Sequence, residues 1–123
     1  MARHNDTGNW GEDSAREYLI TKGYTILDTN VRFGKNELDI VARHNDRIVF
    51  VEVKTRSTDE YDPLDAVDRK KISHLCHAAE SYVSTHNIPH PVQFDIIIVI
   101  GNPGNTPAIE HIPDAFLPPL STR

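Results

Sequence analysis

The chain has 123 residues, 38% of them apolar, which suits one domain with one hydrophobic core. Its 13 basic and 18 acidic side chains leave a formal charge of −5, which excludes bulk attraction to nucleic acid, so any contact with a polyanion must come from a local basic face. The single cysteine, Cys76, excludes an intrachain disulfide; the first residues lack an apolar leader, and the longest apolar run, 96–100, is too short to span a bilayer, so the expectation is a cytoplasmic protein with no membrane segment.

Asp6 or Thr7 caps a first helix that runs to Lys22 and stops at Gly23. Gly11, Ala15, Tyr18 and Leu19 recur at helical spacing and form its inward stripe. Glu12 lies at the edge of that stripe, either presented inward or paired with Arg16 one turn on. A first strand over 24–29 leads to a turn at Gly34-Lys35-Asn36. Strands over 37–43 and 47–55 follow, joined by a hairpin at His44-Asn45-Asp46-Arg47, where Asn and Asp tolerate the left-handed backbone of a tight turn. Residues 57–64 read as a polar loop and 68–85 as a second helix, with Ile72, Leu75, Cys76, Ala79, Tyr82 and Val83 on its apolar face. After a connector at 87–91, the apolar run within 92–100 marks a central strand buried on both faces. Residues 109–112 form a short edge strand within a partly irregular tail, 102–123. The order αβββαβ predicts a single α/β or α+β domain, with helices packed on a mixed sheet.

Three carboxylates and one lysine fall inside two strands that are otherwise apolar: Glu37, Asp39, Glu52 and Lys54. Buried acids are costly unless compensated, and a divalent cation with oxygen ligands is the natural compensation. Side chains alternate along a strand, so Glu37, Asp39 and Val41 share one face, as do Ile48, Phe50, Glu52 and Lys54. If Asn45 and Asp46 are the central residues of the hairpin, Asp39 lies opposite Glu52 and Glu37 opposite Lys54. Two carboxylates facing each other repel, and a bound cation turns the repulsion into coordination. Lys54, one pleat away, is placed to steer an attacking water or to stabilise charge developing at phosphorus. The alternative is a solvated sheet face on which Glu37 and Lys54 form an ordinary cross-strand ion pair.

Asp39 followed by Glu52-Val53-Lys54, on adjacent strands after an acid-bearing helix, resembles the PD-(D/E)XK nuclease superfamily. Within it the chain resembles the YraN family of small uncharacterised bacterial proteins, through Gly11-Glu12 with Ala15, Glu37-Leu38-Asp39-Ile40-Val41-Ala42, Val49-Phe50-Val51-Glu52-Val53-Lys54-Thr55-Arg56, Ala66-Val67 with Lys71, and Phe94-Asp95. It is also similar to archaeal Holliday junction resolvases. The resemblance implies a restriction-endonuclease-like core and hydrolysis of DNA phosphodiesters with Mg²⁺ or Mn²⁺, on branched or otherwise structured DNA. It also implies a metal held by Asp39, Glu52 and the Val53 carbonyl, with Glu12 in direct or water-mediated contact, and it admits a homodimer. Two departures stand out. Leu38 replaces the proline of the superfamily's name, and Gln93 stands where the family often carries Arg.

Arg56 and Lys71 are the leading candidates for phosphate contacts, with Arg32 and Lys35 behind them; Arg69 and Lys70 read as a solvated basic face. His74, Cys76 and His77 crowd one helix, but no second ligand cluster completes a zinc site. Trp10 reads as packing, and Asp95 as serving the fold or a supporting hydrogen bond. The expected function is therefore a metal-dependent endonuclease acting on DNA. Its rivals are a DNA-binding module with a nuclease-like fold, and a partner-binding subunit of a DNA-processing assembly.

Overall fold

Helical spacing of small and apolar residues draws the first segment onto the sheet. The computed structural model describes residues 6–57 and 68–116, side chains of 6–8 excepted, and in it α1 spans Asp6–Thr21. Ala15 and Leu19 of the predicted stripe are fully buried. Gly23, at φ 93°, turns the chain out of the helix, and the Tyr24 N–H reaches back to the Leu19 carbonyl at 3.0 Å. The predicted caps, Asp6 and Thr7, lie where side chains are not described, and residues 58–67 and 117–123 of the predicted loop and tail, with Ala66 and Val67, lie outside the described residues.

Five strands follow: β1 (Thr25–Phe33), β2 (Asn36–His44), β3 (Arg47–Arg56), then, after helix α2 (Arg69–Thr85), β4 (Val92–Ile100) and β5 (Ala108–Ile112). They form one sheet in the order β1-β2-β3-β4-β5, antiparallel throughout except for β3 and β4, which run parallel. Parallel neighbours need a long crossover, and α2 lies within it. This is an α/β fold, a mixed sheet flanked by two helices and consistent with a restriction-endonuclease-like core. β1 runs four residues past its predicted end. A bulge at Leu27 and a left-handed Asn30 (φ 53°) interrupt its alternation. The hairpin joining β2 to β3 closes as expected, His44 opposite Arg47, with Asn45 at φ 58°.

Alternation sorts the two faces. Ile40, Ala42, Val49, Val51, Ile97 and Val99 pack with α1, whereas Val41, Ile48, Phe50 and Phe94 pack with Leu75, Ala79 and Tyr82 of α2. The Asp68 carboxylate caps α2 by accepting from the Lys71 N–H at 2.8 Å, which seats Lys71 in the first turn. Among the described residues no helix is long and apolar enough to cross a membrane.

Gly11 sets how closely α1 approaches β3. A Cβ there would fall onto Thr55 Oγ1. Gly11→Ala is therefore expected to destabilise the protein by about 1–3 kcal/mol despite alanine's better helix propensity. Combining it with Thr55→Ala removes the obstructing hydroxyl and should recover most of the loss. Denaturant unfolding of the double-mutant cycle checks this, and additive effects would mean that the two positions do not touch.

Candidate functional site

The ladder between β2 and β3 runs from His44 opposite Arg47 to Ile40 opposite Val51 and stops there, although both strands continue. The predicted register holds along its whole length but ends one residue short of Asp39 and Glu52. From that point a side chain takes over. Asp39 Oδ2 accepts the Val53 N–H at 2.9 Å. Leu38 packs on the α2 side with Val41, three residues away, so strict alternation breaks over 38–41, and the expected common face of Glu37, Asp39 and Val41 is not a regular pleat. β2 leaves β3 here but stays paired with β1, where Leu38 faces Val31 and Glu37 faces Arg32 and the left-handed Asn30 (φ 53°) interrupts the pairing beside Asp39.

Glu52 remains on the α2 face, as Ile48 and Phe50 predict, and is 3% exposed. Its Oε2 lies 3.3 Å from Lys71 Nζ and 3.8 Å from Lys54 Nζ. Oε1 is buried with no hydrogen-bond donor. Lys54 thus pairs with Glu52 and not, as the cross-strand alternative had it, with Glu37, which sits opposite Arg32 in the β1–β2 ladder. Lys71, a candidate for a phosphate contact, reaches Glu52, because the cap at Asp68 seats it in the first turn of α2.

Glu12 approaches from α1, on the other side of the sheet. It is half-buried and takes a hydrogen bond from the Asn30 side chain, while Arg16 pairs with Asp13 at 3.0 Å. The exposed Glu12–Arg16 pair is therefore not formed. Asn30 had no signal as a site residue beyond being an asparagine in a strand, a type that tolerates the left-handed backbone it adopts.

The acids share one electrostatic character. Burial, then the neighbouring Asp39 carboxylate, pushes Glu52 up to about 7 against the pull of Lys71 and Lys54. Burial also raises Asp39, opposed by the Val53 N–H, the contact with Glu52 and the Lys71 charge. Glu12 is raised by burial and by Asp39 and Glu37. Acids gathered in this way either share protons or take up a cation. No group of three His, Cys, Asp or Glu side chains closes into a metal cage among the described residues. The donors at the fork are thus an open set, two carboxylates with one unpartnered oxygen.

The remaining candidates lie apart. Arg56 Nη1 donates to the Thr55 carbonyl at the end of β3, and Arg32 and Lys35 are exposed near the β1–β2 turn. Cys76 is buried under α2 while His74 and His77 face outward, so these three do not converge. Trp10 packs against the α1-side core and over Gly101.

Asp95 stands opposite Val51, on the α1 face, so it points away from Glu52. It accepts from Gln93 Nε2 at 2.9 Å and the Asp114 N–H at 3.0 Å on Oδ1, and from His111 Nε2 at 2.7 Å and the Tyr24 hydroxyl at 3.4 Å on Oδ2. Gln93, where the family often carries Arg, is therefore committed to Asp95. This cluster ties β5 and the following turn to the core.

Comparison with known proteins adds a family. A model of the uncharacterised protein family UPF0102 matches residues 11–99. The chain is 51% identical over 121 residues to a UPF0102 protein of Bacteroides fragilis, covering 98% of this chain and 99% of that one. A UPF0102 protein of Parabacteroides distasonis is 48% identical over 120 residues, covering 97% and 98%, and one of Phocaeicola vulgatus is 44% identical over 122 residues, covering 98% and 99%.

Proposed function

The chain belongs to the uncharacterised protein family UPF0102, and on that premise we propose that it is a metal-dependent nuclease hydrolysing DNA phosphodiesters at the β2–β3 fork. The observation that carries this reading is Glu52: buried beside the Asp39 carboxylate, held by two ammonium groups through Oε2, with Oε1 orphaned. A buried acceptor without a donor is costly, and a cation is what relieves it. The donor set fits Mg²⁺ or Mn²⁺, which accept one or two carboxylates and keep several waters. Asp39, Glu52 and the Val53 carbonyl would hold the ion, with Glu12 and Glu37 adding negative charge from the α1 side and from β2. When bound, the ion supplies an acidified water and a counter-charge for the phosphate.

This chain's own residues do the rest. The Val53 N–H orients Asp39, and Lys71 holds Glu52 by one oxygen and leaves the other without a hydrogen-bond partner. Lys54, the more distant of the two ammonium groups at 3.8 Å, is the one free to swing toward the attacking water or the leaving oxygen. The absence of a third closing carboxylate among the described residues favours one rival, a DNA-binding module without turnover.

Cleavage assays on labelled single-stranded, duplex, flap and four-way-junction DNA, with Mg²⁺ and with Mn²⁺, separate the two. The folded wild type should cut at least one substrate, and Asp39→Asn and Lys54→Met should lower the rate at least 100-fold. No cleavage by folded wild type under either metal would hand the case to the binding module.

A further inference from the structure

The outward face of α2 carries a feature that the site does not use. Lys70, His74, His77, Ser81 and Ser84 follow one another at helical spacing along a single stripe, opposite the buried face of Leu75, Ala79 and Tyr82. Lys70, His74, His77 and Ser84 are exposed and Ser81 is half-exposed. Every member of the stripe donates hydrogen bonds and none is an acid. The first turn of α2 has no acidic residue either. The one acid of the helix, Glu80, is exposed on the flank away from Lys71 and borders the stripe, three residues after His77 and four before Ser84. In a chain of net charge −5, a run of donors about 20 Å long with a single carboxylate, Glu80, at its C-terminal border is a local departure from the protein's character, clearest over Lys70, His74 and His77. Lysine, histidine and serine side chains are among the usual partners of phosphate oxygens. The stripe is also tied to the site, since Lys71, next to Lys70, is the residue that reaches Glu52.

We propose that this face of α2 is a track for the sugar–phosphate backbone of a nucleic-acid strand leaving the β2–β3 fork. The inference rests on the nuclease reading and extends it by naming the surface on which the substrate lies. Lys71 is spent on Glu52, so phosphate contact passes to its outward neighbours. Lys70 supplies the fixed charge, and His74 and His77 supply N–H donors one and two turns further on. The partner is nucleic acid and not an acidic protein segment, because the stripe is a single row of polar donors with no apolar side chain to anchor a peptide.

The test is fluorescence anisotropy of a labelled duplex with wild type and with Lys70→Glu/His74→Glu/His77→Glu, all exposed positions, with folding verified by circular dichroism. Hydrolysis of the small diester bis(4-nitrophenyl) phosphate is followed in parallel, because it occupies the fork without reaching the outward face of α2. A Lys70→Gln/His74→Gln/His77→Gln variant grades the effect without charge reversal, and Arg47→Glu, at the far hairpin, serves as control. The expected result is at least a tenfold loss of duplex affinity in the Glu triple variant and a smaller loss in the Gln variant. The dependence of log affinity on log salt should be shallower by about one in Lys70→Gln alone. Diester hydrolysis and the Arg47→Glu control should be unchanged. Unaltered duplex binding by the triple variants overturns the track. So does displacement of the duplex by poly-glutamate at equal charge, which would make the face a site for acidic protein. Wild type that hydrolyses the diester but binds no duplex overturns the track and leaves the site reading intact, whereas failure in both assays removes both.

Discussion

Glu52→Gln is expected to abolish DNA cleavage and at the same time to stabilise the fold above pH 7. The carboxyl is 3% exposed, and its burial next to Asp39 raises it from an ordinary 4.5 to about 7. A folded-state value above the unfolded one means that the folded protein binds more protons between those limits, so stability falls as pH rises from about 4.5 to 7. The shift corresponds to on the order of 3 kcal/mol of stability absent at pH 8 but present at pH 4.5. Glutamine resembles the protonated acid and carries no such penalty. The variant should therefore exceed wild type by up to about 3 kcal/mol at pH 8 and match it near pH 4.5. Urea denaturation of both proteins across that range checks this, and parallel pH profiles would show that Glu52 carries no buried-charge penalty. In wild type, a gain in thermal midpoint on adding Mn²⁺ at pH 8, lost in Glu52→Gln, would place the ion at this carboxylate.

Asp95→Ala should have the largest effect on stability and should leave the metal binding proposed for the fork in place. Burial would raise this carboxyl, but hydrogen bonds from His111, the Asp114 backbone and Gln93 hold it below its ordinary value. The signs are opposite to those of Glu52. The stabilisation is complete above about 4, the ordinary carboxylate value, and is lost as pH falls through the lower folded value. Removing the carboxylate takes the acceptor from four donors, of which the Tyr24 hydroxyl is buried and the other three partly so, at a cost of about 3–5 kcal/mol. That is a large share of an ordinary domain's stability. Because the Asp114 N–H and His111 are among those donors, β5 and its turn should lose hydrogen-exchange protection first. Protection unchanged in β5 would mean that the cluster is not what holds that strand.

Most of the architecture was legible because it depends on local chemistry. Helix α2 follows from three- and four-residue apolar spacing, the β2–β3 hairpin from Asn45 and Asp46 between two apolar runs, and β4 from its uninterrupted aliphatic stretch. The pairing of Ile40 with Val51 came from counting outward from that turn, and it held to the last rung. Counting failed one residue later. Register arithmetic assumes a continuing ladder, and nothing in the residue types announces where a strand will part from its neighbour.

The sequence by itself singled out Glu12, Asp39, Glu52 and Lys54 as a group of acids with one lysine, along with the order of the elements that bring them near one another. The tertiary structure alone decided how they are placed. It opened the fork at Asp39, turned Lys71 onto Glu52, matched Asn30 to Glu12, and fitted Gly11 against Thr55. It also removed Asp95 to the opposite face, where His111 lies 16 residues away along the chain and Tyr24 lies 71. Spacing along a chain specifies contacts within a helix turn or across a hairpin. Contacts between elements depend on which faces pack together and how far a helix sits along a strand, and those are settled only when the whole core is buried at once.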